Sequence, residues 1–272
     1  MLEAAAFGAL AGAMTVFPGA AAEAARTALT LWMRAVAPSL GPFMVCMLMV
    51  SSRLNGGAAL RTAMGWLCGS PGGARLMREA GLRGRGAVRA AAMTGTMSPM
   101  FFIGTVGGWL EDRRMGWMIL TCHLLGAAAI GLCIRRPERT EAPPAVPLPL
   151  GAALRESALA LLTVAMCMML GSVAAKMAIC AFPTLPMEAQ AGLQCALEVT
   201  AGVKAILSLN TPWVVPLICA ACSFGGLSLL MQNAAFWQDS GITLGQLALL
   251  RALHAILSGA LCAASVSILF PH

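Results

Sequence analysis

The chain alternates long apolar runs with short polar or basic clusters. Each strong run is long enough to cross a hydrocarbon core of roughly 30 Å, which needs about 20 apolar residues. Apolar and polar residues nowhere alternate with the period of two that a membrane-spanning strand requires. The pattern therefore predicts an all-α, polytopic membrane protein with about seven or eight transmembrane helices. The strong runs are residues 28–50, 90–109, 115–134, 152–176 and 247–270, and the weaker or interrupted runs are 4–22, 62–78, 188–209 and 212–232.

Composition strengthens this prediction and excludes several classes of protein. Hydrophobic residues make up 59% of the 272 residues and charged residues only 11%, whereas a soluble domain carries roughly 25% charged residues. A soluble enzyme, a disordered chain and a nucleic-acid-binding domain do not fit, and the partner that we expect is the lipid bilayer. The chain has no catalytic triad, phosphate-binding loop or zinc signature, so we expect no enzymatic activity, no cofactor and no metal.

The net charge of +7 comes from basic residues between the apolar runs, where such residues usually set the orientation of the chain in the membrane. Two basic loops, 75–89 and 135–155, are separated by two predicted spans. Both loops can therefore face the same side, which the positive-inside rule makes cytoplasmic. The cysteines lie in or beside apolar runs, where cysteine behaves as a small hydrophobe rather than as part of a disulfide framework.

A charged, proline-rich stretch at 135–150 is typical of a linker between two domains. The predicted domains are an N-terminal transmembrane half, 1–134, and a C-terminal transmembrane half, 151–272. The stretch 70–73 resembles 223–226, and a span containing a histidine follows each of them. These short matches indicate either an imperfect internal repeat or chance. A repeat would matter, because many transporters bind substrate near the midplane at broken helices in corresponding positions of two repeats.

Four stretches place polar residues or helix breakers inside apolar runs, where polar groups are costly in lipid and often mark a substrate pathway. In the first stretch, a helix starting near Ala74 would direct backbone N–H groups, together with Arg75, at an anion. The second combines a proline with hydroxyls, the third contains a carboxylate, and the fourth combines a glycine pair with hydroxyl and amide groups. The candidate substrate-binding residues are Ser70, Gly72, Gly73, Arg75, Thr94, Thr96, Ser98, Pro99, Glu198, Thr200, Gly202, Gly226, Ser228 and Gln232.

A purely structural role stays open for each stretch. The first also fits an interfacial turn with an orienting arginine, and the second fits a proline kink. Glu198 and Lys204 can both lie at the membrane surface, and the glycine pair fits the close packing of helices. His123 and His254 can relay protons or can simply be packed inside the protein.

Taken together, the four stretches resemble motifs of the YlbJ/SpoVV sporulation integral membrane proteins, which carry a nucleoside-recognition, or Gate-type, domain. Residues 70–75 are similar to the family's Gly-Tyr-Pro-x-Gly-Ala-Lys stretch, and 94–101 to its Thr-Asn-Thr-Ser-Asn-Pro-Leu-Phe stretch. Glu198, Thr200 and Gly202 match Glu-x-Thr-x-Gly, and residues 226–232 match Gly-x-Ser-x-x-x-Gln. The first motif lacks its aromatic residue, and Gly95 and Ser98 replace both asparagines of the second.

The resemblance implies a multi-pass protein of the cell membrane, in the outer forespore membrane during sporulation. It implies transport of a small organic anion, dipicolinate, from the mother cell toward the forespore. Two alternatives remain: a transporter of nucleosides or other small metabolites, favoured by the two replaced asparagines, and a membrane factor for spore assembly that transports nothing. The sequence predicts no nucleic-acid partner and leaves open whether the chain forms a homo-oligomer.

Overall fold

In a computed structural model of the chain, residues 2–53, 58–135, 147–237 and 240–270 are described, and their regular structure is entirely helical. Most of the predicted linker, residues 136–146, lies outside the described residues. Five helices of the described part are long and apolar enough to cross a membrane, so the prediction of an all-α, polytopic membrane protein is confirmed. The structure does not confirm the expected count of seven or eight transmembrane helices, because several of the other apolar runs are interrupted and form shorter helices.

The first half begins with a short apolar helix, α1 (Leu2–Val16), followed by the long helix α2 (Pro18–Ser51). α2 contains a π-helical segment at Trp32–Val36 and tolerates Pro38 and Pro42 near it. Such π-helical insertions are rare and are often found at functional sites.

Next comes hairpin 1, which consists of α3 (Ala58–Cys68) and α4 (Gly72–Glu79). Its arms pack closely near the turn, because a Cβ added at Gly73 would lie 3.0 Å from the Gly65 carbonyl oxygen. Arms of 11 and 8 residues are about 16 and 12 Å long, which is roughly half the thickness of the hydrocarbon core. The hairpin therefore reaches the middle of the membrane and returns, and the predicted run 62–78 is not a span.

Broken helix 1 follows, with α5 (Gly84–Thr94) as its first half. Residues 95–98 form no helix. The second half, α6, is π-helical at Phe101–Val106 and ends in the short α-helical segment Gly107–Trp109. The uninterrupted helix α7 (Arg113–Cys133) completes the first half.

Asp112 begins α7 as its N-cap and closes the polar turn between broken helix 1 and α7. Its carboxylate accepts hydrogen bonds from the backbone N–H and the side chain of Arg114. These hydrogen bonds lower the pKa of Asp112 below its ordinary value. The negative charge thus compensates Arg114 within the turn.

The second half repeats this order of elements. It starts with a long helix, α8 (Leu150–Ala181). Hairpin 2 consists of α9 (Met187–Leu197) and α10 (Val199–Leu207), and broken helix 2 consists of α11 (Val214–Phe224) and α12 (Gly226–Trp237). The last helix is α13 (Leu244–Leu269).

The order of elements shows which residues of the two halves are equivalent. These pairs differ from the pair 70–73 and 223–226 that the sequence suggests. The turn of hairpin 1 at 69–71 corresponds to Glu198 in hairpin 2, and the break at 95–98 corresponds to Gly225. His123 and His254 then occupy the same position, each ten residues after the first residue of α7 or α13. The two Ser-x-Gly-Gly stretches resemble each other because each helix interruption needs glycine, not because they are equivalent.

Contacts between the elements show that the halves are oriented in opposite directions. The end of α2 meets the start of α8, because the Ser52 hydroxyl accepts a hydrogen bond from the Leu148 N–H at 3.1 Å. Arg75, midway along the second arm of hairpin 1, also reaches toward this end of the molecule, where it pairs with Glu156 near the start of α8. At the opposite end, the Lys204 ammonium of hairpin 2 lies 5.2 Å from the ring centroid of Trp109. Hairpin 1 therefore enters from the end with the basic loops, here called the basic end, and hairpin 2 from the other end.

Candidate functional site

The turn of hairpin 1 packs against the break in broken helix 1. Gly69 has a φ of +64°, and a Cβ added there would overlap the backbone of Ser98. The Ser70 N–H donates a hydrogen bond to the Thr96 carbonyl oxygen at 2.6 Å. A Cβ added at Gly73 would lie 2.6 Å from the Thr94 carbonyl oxygen. Glycine thus allows two stretches of non-helical backbone to meet inside the protein, where they satisfy each other's polar groups.

The turn of hairpin 2 packs against the break in broken helix 2 in the same way. Gly226 has a φ of +70°, and a Cβ added there would lie 2.9 Å from the Cys195 carbonyl oxygen. Glu198 forms the turn and caps α10, since its carboxylate accepts the N–H groups of Thr200 at 3.0 Å and Ala201 at 2.7 Å. Gly171 of α8 provides room for this turn, because a Cβ there would lie 2.6 Å from the Leu197 carbonyl oxygen.

The two sets of interruptions meet at the centre of the molecule, around a cavity of about 50 Å³ that we call the central cavity. The Ser70 hydroxyl of hairpin 1 donates a hydrogen bond to Asn233 Oδ1 of broken helix 2, which links the halves directly. Both π-helical segments also reach the cavity, through Val36 of α2 and Phe101 of broken helix 1. The polar residues that line it are Ser39, Ser70, Ser98, Glu198, Thr200, Ser228 and Gln232.

Gln232 marks this cavity as a place where a polar ligand can bind. Its side chain is only 2% exposed, and its Oε1 has no hydrogen-bond partner among the described residues. A buried amide oxygen without a partner is costly, and such groups in native proteins usually serve a ligand, a water or an ion. The geometry thus supports a binding role for a residue that sequence alone could equally assign to helix packing.

The other predicted site residues divide into those that shape the site and one that lies elsewhere. Close packing at the hairpins and breaks depends on four of these glycines, Gly72, Gly73, Gly202 and Gly226. The Ser98 hydroxyl accepts a hydrogen bond from the Phe101 N–H, where the helix resumes after the break beside Pro99. Thr94 and Thr96 are buried next to the break; Thr94 bonds to its own helix, and the Thr96 hydroxyl has no partner among the described residues.

Arg75 does not line the central cavity. Its guanidinium pairs with Glu79 and with Glu156, each at 2.9 Å, at the basic end. The sequence predicts that this guanidinium binds an anionic substrate, but in the structure it is already paired with these two carboxylates. A role of Arg75 in substrate contact stays a prediction.

Arg251 is a central residue that the sequence reasoning missed. It is 3% exposed, and its guanidinium donates hydrogen bonds to the carbonyl oxygens of Gly95, Ala91 and Ala92. These carbonyls end α5, where the helix dipole places partial negative charge. The signal was available: an arginine three residues before His254 within an apolar span is an intramembrane charge that requires a partner.

Two buried histidines extend this network to the break. His254 accepts a hydrogen bond from Arg251 at Nδ1, so its Nε2 carries the proton that is donated to the His123 carbonyl oxygen at 2.7 Å. His123 accepts the Met97 N–H at Nε2, so its Nδ1–H donates to the Ser223 hydroxyl at 2.8 Å. Both histidines are fully buried, and these partners fit neutral imidazoles. Their positions favour the packed role over the proton relay.

The electrostatics of the centre combine helix ends with one carboxylate. Four helical segments start at the interruptions, after Pro71, Ser98, Glu198 and Gly225, and helix N-termini carry partial positive charge. Glu198 is the charged side chain that lines the central cavity, and its carboxylate is held by the N-terminus of α10. Among the described residues, no group of three or more histidine, cysteine or carboxylate side chains is placed to hold a metal ion.

Comparison with known proteins gives one informative similarity. No family model matches the chain, and no solved structure matches it. The chain is 30% identical to the sporulation integral membrane protein YlbJ of Bacillus subtilis (strain 168) over 148 residues. This alignment covers 46% of the chain and 36% of that protein, so the match spans about a third of its relative's length. The similarity supports the resemblance to the family of that protein.

Proposed function

We propose, from its assignment to the YlbJ family of sporulation integral membrane proteins, that this chain transports a small organic anion across a membrane during sporulation. The proposed substrate is dipicolinate, passing from the mother cell toward the forespore through the outer forespore membrane. The central cavity is the proposed binding site. The observation that carries this proposal is the buried Gln232 Oε1, which has no hydrogen-bond partner among the described residues and belongs to a cavity between four helix interruptions.

The inverted arrangement of the halves supports transport over a purely structural role. Non-helical backbone at membrane depth is tolerated where it lies inside protein or lines a cavity, and transporters place such breaks at their substrate site. Here the breaks of both halves meet, and the hydrogen bond between Ser70 and Asn233 joins the two. A membrane factor without a ligand would have no need for a buried, unsatisfied amide at this junction.

The chemistry of the centre fits an anion through its helix N-termini rather than through a cationic side chain. N–H groups at helix starts bind carboxylates well, as Glu198 itself demonstrates. The central cavity of about 50 Å³ is smaller than the roughly 150 Å³ that admits benzene in an apolar protein cavity. An aromatic dicarboxylate can therefore enter only if the hairpin turns separate, which a transport cycle would supply.

A second candidate is a nucleoside, and the cavity lining favours it. Glu198 gives the central cavity a negative group, while Gln232, Ser228 and Thr200 offer uncharged hydrogen-bonding groups. Such a lining binds hydroxyls and ring nitrogens of a neutral substrate without placing two negative charges next to each other. Competition between uridine and dipicolinate for the same protein distinguishes the two candidates.

The variant Gln232→Leu tests the proposed site, because leucine has a similar size but no polar atoms. The Oε1 has no partner among the described residues, so this change should leave the unfolding temperature in detergent nearly unaffected. Uptake of radiolabelled dipicolinate by proteoliposomes should fall about tenfold or more, as expected for the loss of a ligand hydrogen bond in a buried site. Gln190→Leu is the matched control, since Gln190 bonds to the Leu185 carbonyl outside the cavity.

Three results would contradict the proposal in different ways. Equal uptake by the Gln232→Leu and Gln190→Leu proteins would remove the central cavity as the binding site. Uptake of uridine without uptake of dipicolinate would favour the second candidate. A wild-type protein that moves neither compound would support a membrane factor for spore assembly.

A further inference from the structure

A second cavity lies on the other side of Glu198. Its volume is about 240 Å³, and it is bounded by the start of α2, the last part of α8 and hairpin 2. We call it the outer cavity, because hairpin 2 enters from the end opposite to the basic end. It exceeds the roughly 150 Å³ that admits a benzene ring, so it can accept a single-ring molecule without any movement of the hairpins.

The outer cavity contains a cation for which the described residues provide no partner. Lys176 of α8 lines it, is partly buried, and makes no ion pair or hydrogen bond with the described residues. Ser172 lies one helical turn earlier on the same face of α8, and its buried hydroxyl also has no partner among the described residues. An ammonium and a hydroxyl on one wall of a cavity form a site for a carboxylate.

The remaining polar groups of the outer cavity agree with this chemistry. Gln194 adds an amide from hairpin 2. Glu198 lines the cavity as well, but its charge is directed to the N–H groups of Thr200 and Ala201. Glu23 of α2 also lines the cavity, and it is exposed. Glu198 is therefore held within the fold and Glu23 is exposed, while Lys176 forms an ion pair with neither carboxylate.

Glu198 also connects the outer cavity with the central cavity. It lines both, and the turn that it forms rests on Gly171 of α8. Lys176 lies five residues beyond Gly171 along α8, which is about 7.5 Å nearer the outer end of the helix. The turn of hairpin 2 thus lies between a molecule in the outer cavity and the central cavity.

We infer that the outer cavity is a second binding site for a small carboxylate anion, with Lys176 and Ser172 as its binding groups. This inference rests on the proposed function, because the anion is the transported substrate waiting at, or leaving by, the outer end of the path. Hairpin 2 is the partition between the two sites. A bound carboxylate forms an ion pair with the Lys176 ammonium and accepts a hydrogen bond from the Ser172 hydroxyl.

The variant Lys176→Gln tests this site with dipicolinate as the probe, in proteoliposomes of neutral lipid. Loss of one charge-assisted contact should raise the KM for dipicolinate about tenfold. The kcat should stay unchanged when dipicolinate is supplied at the outer end of the protein, because the contact is then made before the substrate reaches the central cavity. Lys176→Arg should restore most of the affinity, and Ser172→Ala should raise KM about threefold. Arg26→Gln is the matched control, since Arg26 is exposed on α2 and bonds only to its own helix.

The outcomes separate this inference from the proposed function. Wild-type transport with equal KM values for the Lys176→Gln and Arg26→Gln proteins would overturn the second site and leave the proposed function intact. An effect of Lys176→Gln that occurs only in vesicles with anionic lipid would assign Lys176 to a lipid headgroup and also overturn it. Absence of dipicolinate transport in the wild-type protein would remove the proposed function, and this result is visible before any variant is compared.

Discussion

Arg251 is a buried charge whose contacts with the described residues include no carboxylate. Its guanidinium contacts the carbonyl oxygens that end α5 and the Nδ1 of His254. A planar guanidinium with several fixed donors can satisfy such diverging acceptors together, which an ammonium cannot do. Arg251 thereby fixes where α5 stops and where the extended segment 95–98 begins, and so it positions Ser98 at the central cavity.

We expect Arg251→Gln to destabilise the protein by about 2–4 kcal/mol, because the glutamine leaves buried carbonyl oxygens without donors. Arg251→Lys should lie between this variant and the wild type. The effect is measured as a shift in the unfolding temperature in detergent, which a thiol-specific dye detects when the buried cysteines become accessible. Arg26→Gln is the control. Equal unfolding temperatures for the Arg251→Gln and Arg26→Gln proteins would show that the network does not stabilise the break.

At the scale of elements, the hairpins depend on close contact between their arms. In hairpin 2, a Cβ added at Gly202 would lie 2.5 Å from Cys195 Cα and 2.6 Å from its backbone nitrogen. Backbone atoms cannot move aside as the end of a flexible side chain can, so a larger residue must push the arms apart. The turn at Glu198 would then separate from Gly226 and Gly171, which it contacts on either side.

We therefore expect Gly202→Ala to lower stability by about 1–3 kcal/mol through overpacking and to reduce transport. Gly192→Ala in the same hairpin is the matched control, since a Cβ there meets nothing within 4 Å. It should be neutral or stabilising by about 0.5–1 kcal/mol, because alanine favours helix more than glycine does. Protein abundance in the membrane and unfolding temperature compare the two. Similar losses for both variants would mean that helix propensity, rather than contact between the arms, is the cause.

At the scale of the whole molecule, the two halves have opposite orientations because two elements, broken helix 1 and α7, cross the membrane between α2 and α8. The basic residues of 75–89 accordingly lie at the same end as the end of α7 and the start of α8, where Arg89 contacts the Ile134 carbonyl and Arg75 contacts Glu156. The positive-inside rule predicts that this end is cytoplasmic. In that orientation, hairpin 1 would enter from the cytoplasmic side and hairpin 2 from the opposite side.

This topology predicts the accessibility of the two loops that flank hairpin 2. Single cysteines at Thr184 and Asn210, both exposed, should react with a membrane-impermeant maleimide added to whole cells expressing a protein without its native cysteines. A cysteine at Arg83, on the basic end, should react only after the membrane is opened. If residues 187–207 formed one continuous span, the cysteines at Thr184 and Asn210 would react from opposite sides, and the re-entrant arrangement would be wrong.

Much of this protein is determined by its sequence, because a lipid environment imposes strong and local rules. The apolar runs 115–134, 152–176 and 247–270 predicted membrane helices near the observed bounds of Arg113–Cys133, Leu150–Ala181 and Leu244–Leu269. The helix Pro18–Ser51 begins ten residues before the predicted run 28–50. Glycine and proline at 69–73 predicted an interrupted helix, which the structure has at 69–71, and Pro99 marked a disturbance that the structure has as a break at 95–98. Backbone that is not helical at membrane depth must lie inside protein or line a cavity. The polar residues of these breaks include the lining of the central cavity, Ser70 and Ser98.

Tertiary structure decided whether an apolar run crosses the membrane or turns back, and which polar groups meet. The runs 62–78 and 188–209 resemble spans in composition, yet contacts such as Gly202 against Cys195 fold the second into a hairpin. Arg75 and Arg251 are both basic residues near breaks, but only the packed fold turns the first toward Glu156 and the second toward the end of α5. The physical reason is that local sequence sets the cost of leaving lipid, whereas the partners that compensate a buried charge come from residues distant in the chain.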